Sequence, residues 1–301
     1  MVMPMRVVDE QHDDPVRLAQ RRRTCQITPM RSRPLWALLL AAGLTAACST
    51  GSCDIAVGVD QSAQPKGGQL RVSAAVSLTD ALTPIARKWE AAGNIHVELN
   101  FAASNVLARQ ILEGAPVDVF ISADEKQMNR LVESGAAARA DVLPLLTNQL
   151  VVVTPAGRPV SGTLPSALAD DAVKRIAIGD PQGVPAGVYT KAWLERADLW
   201  RQVEPKIVPS NSVRAALAAV DSANADAGVV YKTDAKGHAG VKVAYEVPLA
   251  DAPPIVYPVA VIAKSTHPDL ARRFVAYLQT APARTVFADA GFSAPDTANA
   301  R

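Results

Sequence analysis

From Gln69 onward the chain alternates between two periodicities of apolar residues. Leu70-Arg71-Val72 reads as extended, while Leu78, Leu82, Ile85, Ala86 and Trp89 recur at the spacing of one helical face. Ile95, Val97, Leu99 and Phe101 then alternate with other residues as on a half-buried strand. The pattern continues with a helix over 103–113, a strand over 117–121, a helix over 125–134 and a long apolar strand over 149–153. After Pro155 a second set follows: a strand over 175–178, helices over 186–196 and 213–220, and strands over 228–231 and 241–245. The closing strand over 255–262 and helix over 269–278 resemble the first set more than a third unit. Strands alternating with helices of this length predict mostly parallel sheets covered by helices. The expected fold is therefore α/β and two-lobed, each lobe a mixed, mostly parallel sheet flanked by helices, with a cleft between them. Residues 69–148 and 258–301 would form one lobe and 149–257 the other, with crossings near Asn148-Gln149 and Tyr257-Pro258.

Residues 1–68 break this pattern. Met30-Arg31-Ser32-Arg33 leads into an apolar run of 13 residues from Leu35 to Ala47. A basic stretch before such a run is the form of a secretory signal, and the run falls short of the roughly 20 residues that span a bilayer. Residues 30–47 are expected to be a signal peptide, and residues 1–29, which lack apolar periodicity, a leader from a mis-assigned start. Ala46 and Ala47 directly before Cys48 resemble a bacterial lipoprotein cleavage site, with Cys48 as the point of lipid attachment. Thr45 departs from the leucine usual in that pattern, and Cys53 after Gly51-Ser52 is a competing position. Simple cleavage, leaving both thiols in a tether, is the alternative. Residues 48–68, rich in Ser, Gly, Gln and Asp, read as a solvated linker. The expected product is exported and held at the outer side of the cytoplasmic membrane through a lipid anchor.

Composition narrows the chemistry. All three cysteines precede residue 54, which excludes a disulfide framework, a thiolate nucleophile and a cysteine metal site from the folded body. The first 47 residues hold 7 of the 31 Lys and Arg and 4 of the 29 Asp and Glu, so the remainder is close to neutral. No basic footprint for nucleic acid remains. His12, His96, His238 and His267 lie far apart in the chain without a convincing acid partner, which gives a hydrolytic triad or zinc site no support. With 49% hydrophobic and 5% aromatic residues, the core is expected to be aliphatic.

Several predicted helices begin with segments suited to an anion, because a helix start offers unpaired N–H groups and a partial positive charge. In Ala74-Ala75-Val76-Ser77-Leu78-Thr79-Asp80, Ser77 has capping-box spacing to Asp80, and capping is the ordinary role of such a serine. Ser104 in Phe101-Ala102-Ala103-Ser104-Asn105 stands the same way before a helix. In an open α/β sheet both would lie at the carboxyl ends of strands, where ligands bind. Gly179 to Tyr189 is a Gly- and Pro-punctuated loop in which Pro185 suits a first helical turn, and Ala186 and Gly187 would let an oxyanion approach the backbone; an ordinary connection is the other reading. Ser210-Asn211-Ser212 caps a helix starting at Val213, and Arg214 there is expected to project into solvent instead of binding an anion. Tyr231 ends a strand with a hydroxyl able to donate one hydrogen bond, or packs near a hinge.

These segments, in this order and spacing, resemble the periplasmic molybdate-binding proteins of ABC-type importers. The resemblance covers about 69–295. It is carried by Phe101 to Ser104 with Leu107-Ala108-Arg109-Gln110-Ile111, by Gly114-Ala115-Pro116-Val117-Asp118-Val119-Phe120-Ile121-Ser122-Ala123-Asp124, and by Gly179-Asp180-Pro181 with Val184-Pro185-Ala186-Gly187. It implies a periplasmic-binding-protein fold that holds molybdate, or the nearly isosteric tungstate, through the hydroxyl and backbone N–H of Ser77 and Ser104, the backbone N–H of Ala186 and Val213, and the hydroxyl of Tyr231. It further implies a monomer with no catalytic residues and no cofactor, in which molybdenum enters as its oxyanion and not as a bare cation. The permease and ATPase of an importer would be its partners. Val76 replaces a frequent alanine and Ala103 and Asn105 replace frequent serines, which bears on affinity and donor count. Molybdate is fully ionised at neutral pH, so donors alone suffice, and the smaller sulfate would be refused by cavity size. Another oxyanion such as sulfate, thiosulfate or phosphate, or a carboxylate, is the alternative cargo. An enzyme on the same fold, such as a porphobilinogen deaminase, would need a cysteine that the body lacks.

Overall fold

The computed structural model describes residues 68–93 and 95–295. The expected leader, signal peptide and Cys48, and the linker up to residue 67, lie outside the described residues. The strands run in chain order as β1 (Gln69–Ala75), β2 (His96–Ala102), β3 (Val119–Ile121), β4 (Leu143–Asn148), β5 (Leu150–Pro155), β6 (Ile176–Gly179), β7 (Ile207–Ser210), β8 (Ala227–Tyr231), β9 (Val241–Glu246) and β10 (Ile255–Val261). The helices are α1 (Thr79–Gly93), α2 (Ser104–Leu112), α3 (Glu125–Glu133), α4 (Pro185–Arg196), α5 (Trp200–Val203), α6 (Val213–Asp221), α7 (Lys232–Ala235), α8 (Pro268–Leu278) and α9 (Ala281–Ala290).

Two five-stranded sheets result, ordered β2-β1-β3-β10-β4 and β7-β6-β8-β5-β9. The two share one topology. In each, three strands run parallel, and the fourth in the order runs antiparallel to both neighbours. That reversed strand, β5 or β10, is the one by which the chain enters the lobe after crossing over. The two-lobed α/β expectation is borne out.

The apolar pattern explains the layering. β5, β6 and β8 are buried along their whole length, as central strands covered on both faces must be. The edge strand β9 exposes most of its length and β7 half of it. Trp89 of α1 meets Phe274 of α8 edge to face at 5.0 Å between ring centres, closing one face of the first sheet. α2 and α3 cover its other face, with Leu107, Ile111, Met128 and Leu131 against Phe120.

Two strands escaped the sequence reading, β4 and β7, and each contains a proline, Pro144 or Pro209. Both are edge strands, where a missing N–H leaves no partner unsatisfied. The first crossing falls at Gln149, between β4 and β5. The return comes earlier than expected: residues 255–257, assigned above to the second lobe, already pair with β4 in the first sheet, Ile255 opposite Asn148. The strand had to begin there because Ile255 and Tyr257 are apolar-face positions buried at 4% and 0% exposure.

Candidate functional site

Register brings the two serine segments together. β1 and β2 pair in parallel from Gln69 opposite His96 to Ala75 opposite Ala102, so their carboxyl ends lie side by side. Ser77 and Ser104 each stand two residues beyond those ends. The second lobe repeats the arrangement: Gly179 ends β6 opposite Ser210 at the end of β7, and the chain runs from there into α4 and α6. Tyr231 closes β8.

These strand ends face one cavity, lined by Ala75, Val76, Ser77, Ala103, Ser104, Ala123, Val184, Pro185, Ala186, Val213 and Tyr231. All five residues expected to contact the ion are in that lining: Ser77 and Ser104 from the first lobe, Ala186, Val213 and Tyr231 from the second. They are 1–3% exposed. The cavity offers about 10 Å³ to the centre of a water-sized sphere. Adding the sphere's own radius gives a void roughly 5 Å across, the scale of a single small ion.

The hydrogen bonds decide what the polar groups can do. Neither serine caps its helix. Ser104 is the first residue of α2, whose N-cap Ala103 has no side chain to offer, and its Oγ accepts from the Ala123 N–H at 2.9 Å. An N–H can only donate, so the Ser104 hydroxyl proton stays available. Ser77 lies in the tight turn Val76–Leu78 before α1, and its Oγ is 3.0 Å from the Tyr257 hydroxyl. The Tyr231 hydroxyl is buried without a hydrogen-bond partner. Burial, reinforced by Tyr257, pushes this phenol well above its usual 10, so it keeps a proton to donate at neutral pH.

Backbone donors add to these. α4 begins at Pro185, its N-cap Val184 supplies no side-chain cap, and Ala186 in the first turn has no intrahelical acceptor for its N–H. Val213 is the first residue of α6 and its N–H likewise has no intrahelical acceptor, while Ser212 caps that helix by accepting from Ala215 N at 3.2 Å. No Asp, Glu, Lys, Arg or His lines the cavity. Asp124, next in the chain to Ala123, caps α3, and burial pushes its carboxyl above the usual carboxylate range. Among the described residues no cluster of metal ligands occurs.

Two sequence expectations are corrected. Gly187 does not line the cavity; a Cβ there would sit 1.9 Å from the Gly179 carbonyl oxygen, so glycine allows α4 to abut the end of β6. Arg214 does not project freely into solvent: its Nη2 meets Asp80 and its Nε meets buried Asp234, each at 2.5 Å. It thus ties α6 of one lobe to α1 of the other. Sequence reasoning also missed Asn148 and Tyr257, whose chain positions signal only the crossings.

Two like lobes around a small donor-lined cavity suit the binding of a solute, and comparison with known proteins agrees. The chain is 39% identical over 230 residues to the molybdate-binding protein ModA of Escherichia coli, covering 75% of this chain and 89% of that one. It is equally 39% identical over 226 residues to YvgL of Bacillus subtilis, a lipoprotein assigned to substrate binding for an ABC transporter, covering 75% and 86%. The solved periplasmic molybdate-binding protein of Azotobacter vinelandii superposes with a TM-score of 0.68 at 25% identity, over 75% of this chain and 100% of that one. Residues 70–293 match the profile of one family, and by that match the chain belongs to the bacterial extracellular solute-binding proteins.

Proposed function

We propose that the protein captures molybdate outside the cytoplasmic membrane and delivers it to the permease and ATPase of an ABC importer. The ion is held by the hydroxyls of Ser77, Ser104 and Tyr231 and by backbone N–H groups at the two serines, Ala186 and Val213. One observation carries this reading: the buried Tyr231 hydroxyl has no partner in a cavity that contains donors and no charged side chain. A buried hydroxyl left unpaired costs about 1–3 kcal/mol, and an ion with four proton-free oxygens removes that cost. An ion that carries its own proton, such as hydrogen phosphate, leaves that proton without an acceptor. The molybdate-binding relatives support the cargo, and tungstate, nearly isosteric, is expected to bind alike. We read the protein as a binding protein without a catalytic step or cofactor, working as a monomer, with Cys48 as its lipid anchor; the lipoprotein relative supports the anchor.

Calorimetric titration of the ligand-stripped chain with molybdate, tungstate, sulfate and phosphate tests the assignment. One-to-one binding of the first two with no response to the others is expected. Equal affinity for sulfate or phosphate would overturn the cargo.

A further inference from the structure

The Ser77 hydroxyl belongs to a hydrogen-bonded chain that runs from the first crossing into the cavity. The Gln149 backbone N–H donates to Asn148 Oδ1 at 2.9 Å, and this fixes the amide, since a backbone N–H cannot accept. The amide nitrogen of Asn148 therefore faces the other way, donating to Thr233 Oγ1 at 2.9 Å and to the Tyr257 hydroxyl at 3.2 Å. The Tyr257 oxygen is thus already an acceptor. Its own proton has one acceptor in reach, Ser77 Oγ at 3.0 Å. All four side chains are less than 9% exposed, so water does not offer another arrangement. Burial also pushes the Tyr257 phenol up, which keeps it protonated.

The geometry points to Asn148 and Tyr257 as positioning residues that set the proton direction at Ser77 and so determine which charge state of an oxyanion the site accepts. Each bond forces the next: Gln149 N–H fixes Asn148, Asn148 fixes Tyr257, and Tyr257 occupies a lone pair of Ser77. Ser77 is left with its proton toward the ion. Because Asn148 also holds Thr233 of the opposite lobe, the chain is complete only where both lobes meet. This inference rests on the oxyanion reading above and adds two residues that need not touch the ion.

Affinities measured at pH 8 on the full chain, for molybdate by direct titration and for phosphate from its competition with molybdate at high concentration, test it. Tyr257→Phe keeps the ring and frees a Ser77 lone pair, so molybdate binding should weaken by on the order of tenfold while the ratio of phosphate to molybdate dissociation constants narrows by a similar factor. An unchanged ratio would overturn the inference. Asn148→Asp keeps the shape, the bond from Gln149 N–H and, with the Thr233 proton turned round, that contact too. It reverses the relay: Tyr257 donates to Asp, Ser77 donates to Tyr257, and a lone pair meets the ion. Molybdate affinity should fall by about a hundredfold or more, as for a buried donor replaced by an acceptor. In N148D/Y257F the relay is cut and affinity should recover by roughly tenfold over N148D. A double variant no better than N148D would mean that the added charge alone acts, and would overturn the relay. Silence of the unsubstituted chain toward molybdate would instead bring down the oxyanion reading, and this inference with it.

Discussion

Tyr231 shows the conflict between stability and binding in a single residue. Its hydroxyl is buried without a hydrogen-bond partner, and its ring meets Tyr257 edge to face at 5.9 Å, so the ring packs while the oxygen does not. Tyr231→Phe should therefore stabilise the ligand-free protein, by about 1 kcal/mol or more, because it removes an unsatisfied polar atom. The same change should weaken molybdate binding by roughly tenfold to a hundredfold, the worth of one hydrogen bond to a charged group. Thermal melts with and without molybdate check both signs at once. A variant that loses stability without ligand would show the hydroxyl to be satisfied in solution.

At the scale of elements, the helix starts do the positioning. The α4 start carries Ala186 into the cavity only because Gly187 lets the helix press on the Gly179 carbonyl. A Gly187→Ala substitution forces these two backbones apart, since neither atom in the clash is a flexible side chain. Overpacking of this kind costs about 1–3 kcal/mol, and molybdate affinity should fall with it because the Ala186 N–H moves. Hydrogen exchange should report the loss at the start of α4 while α2 keeps its protection. Equal loosening of both helices would mean a global effect. Neither serine segment depends on glycine in this way, since β1 and β2 are aligned by their register.

Across the whole molecule, Arg214 ties the lobes together beside the cavity. Its partner in its own lobe, Asp234, is fully buried, whereas Asp80 across the cleft has a side chain 69% exposed. The two bonds should therefore differ in consequence. Asp80→Ala removes an exposed pair worth at most about 1 kcal/mol, so molybdate should bind up to about fivefold more weakly, with faster release and little change in melting. Arg214→Ala leaves Asp234 buried without its cation, a loss of about 3–5 kcal/mol, and should lower the melting temperature sharply. Comparable melting of the two variants would refute this division. The sequence by itself determined the α/β class, the crossing at Asn148-Gln149, and the residues gathered in the cavity, because apolar periodicity and helix-start chemistry are local properties. Only the tertiary structure decided the proline-containing edge strands, the return at Ile255, the role of Gly187, and the partners of Arg214 and Ser77. Those depend on groups far apart in the chain, as Ser77 and Tyr257 are, at 180 positions. Pairs that distant are chosen by sheet register and by how two lobes meet, and neither leaves a periodic trace in the residues on either side.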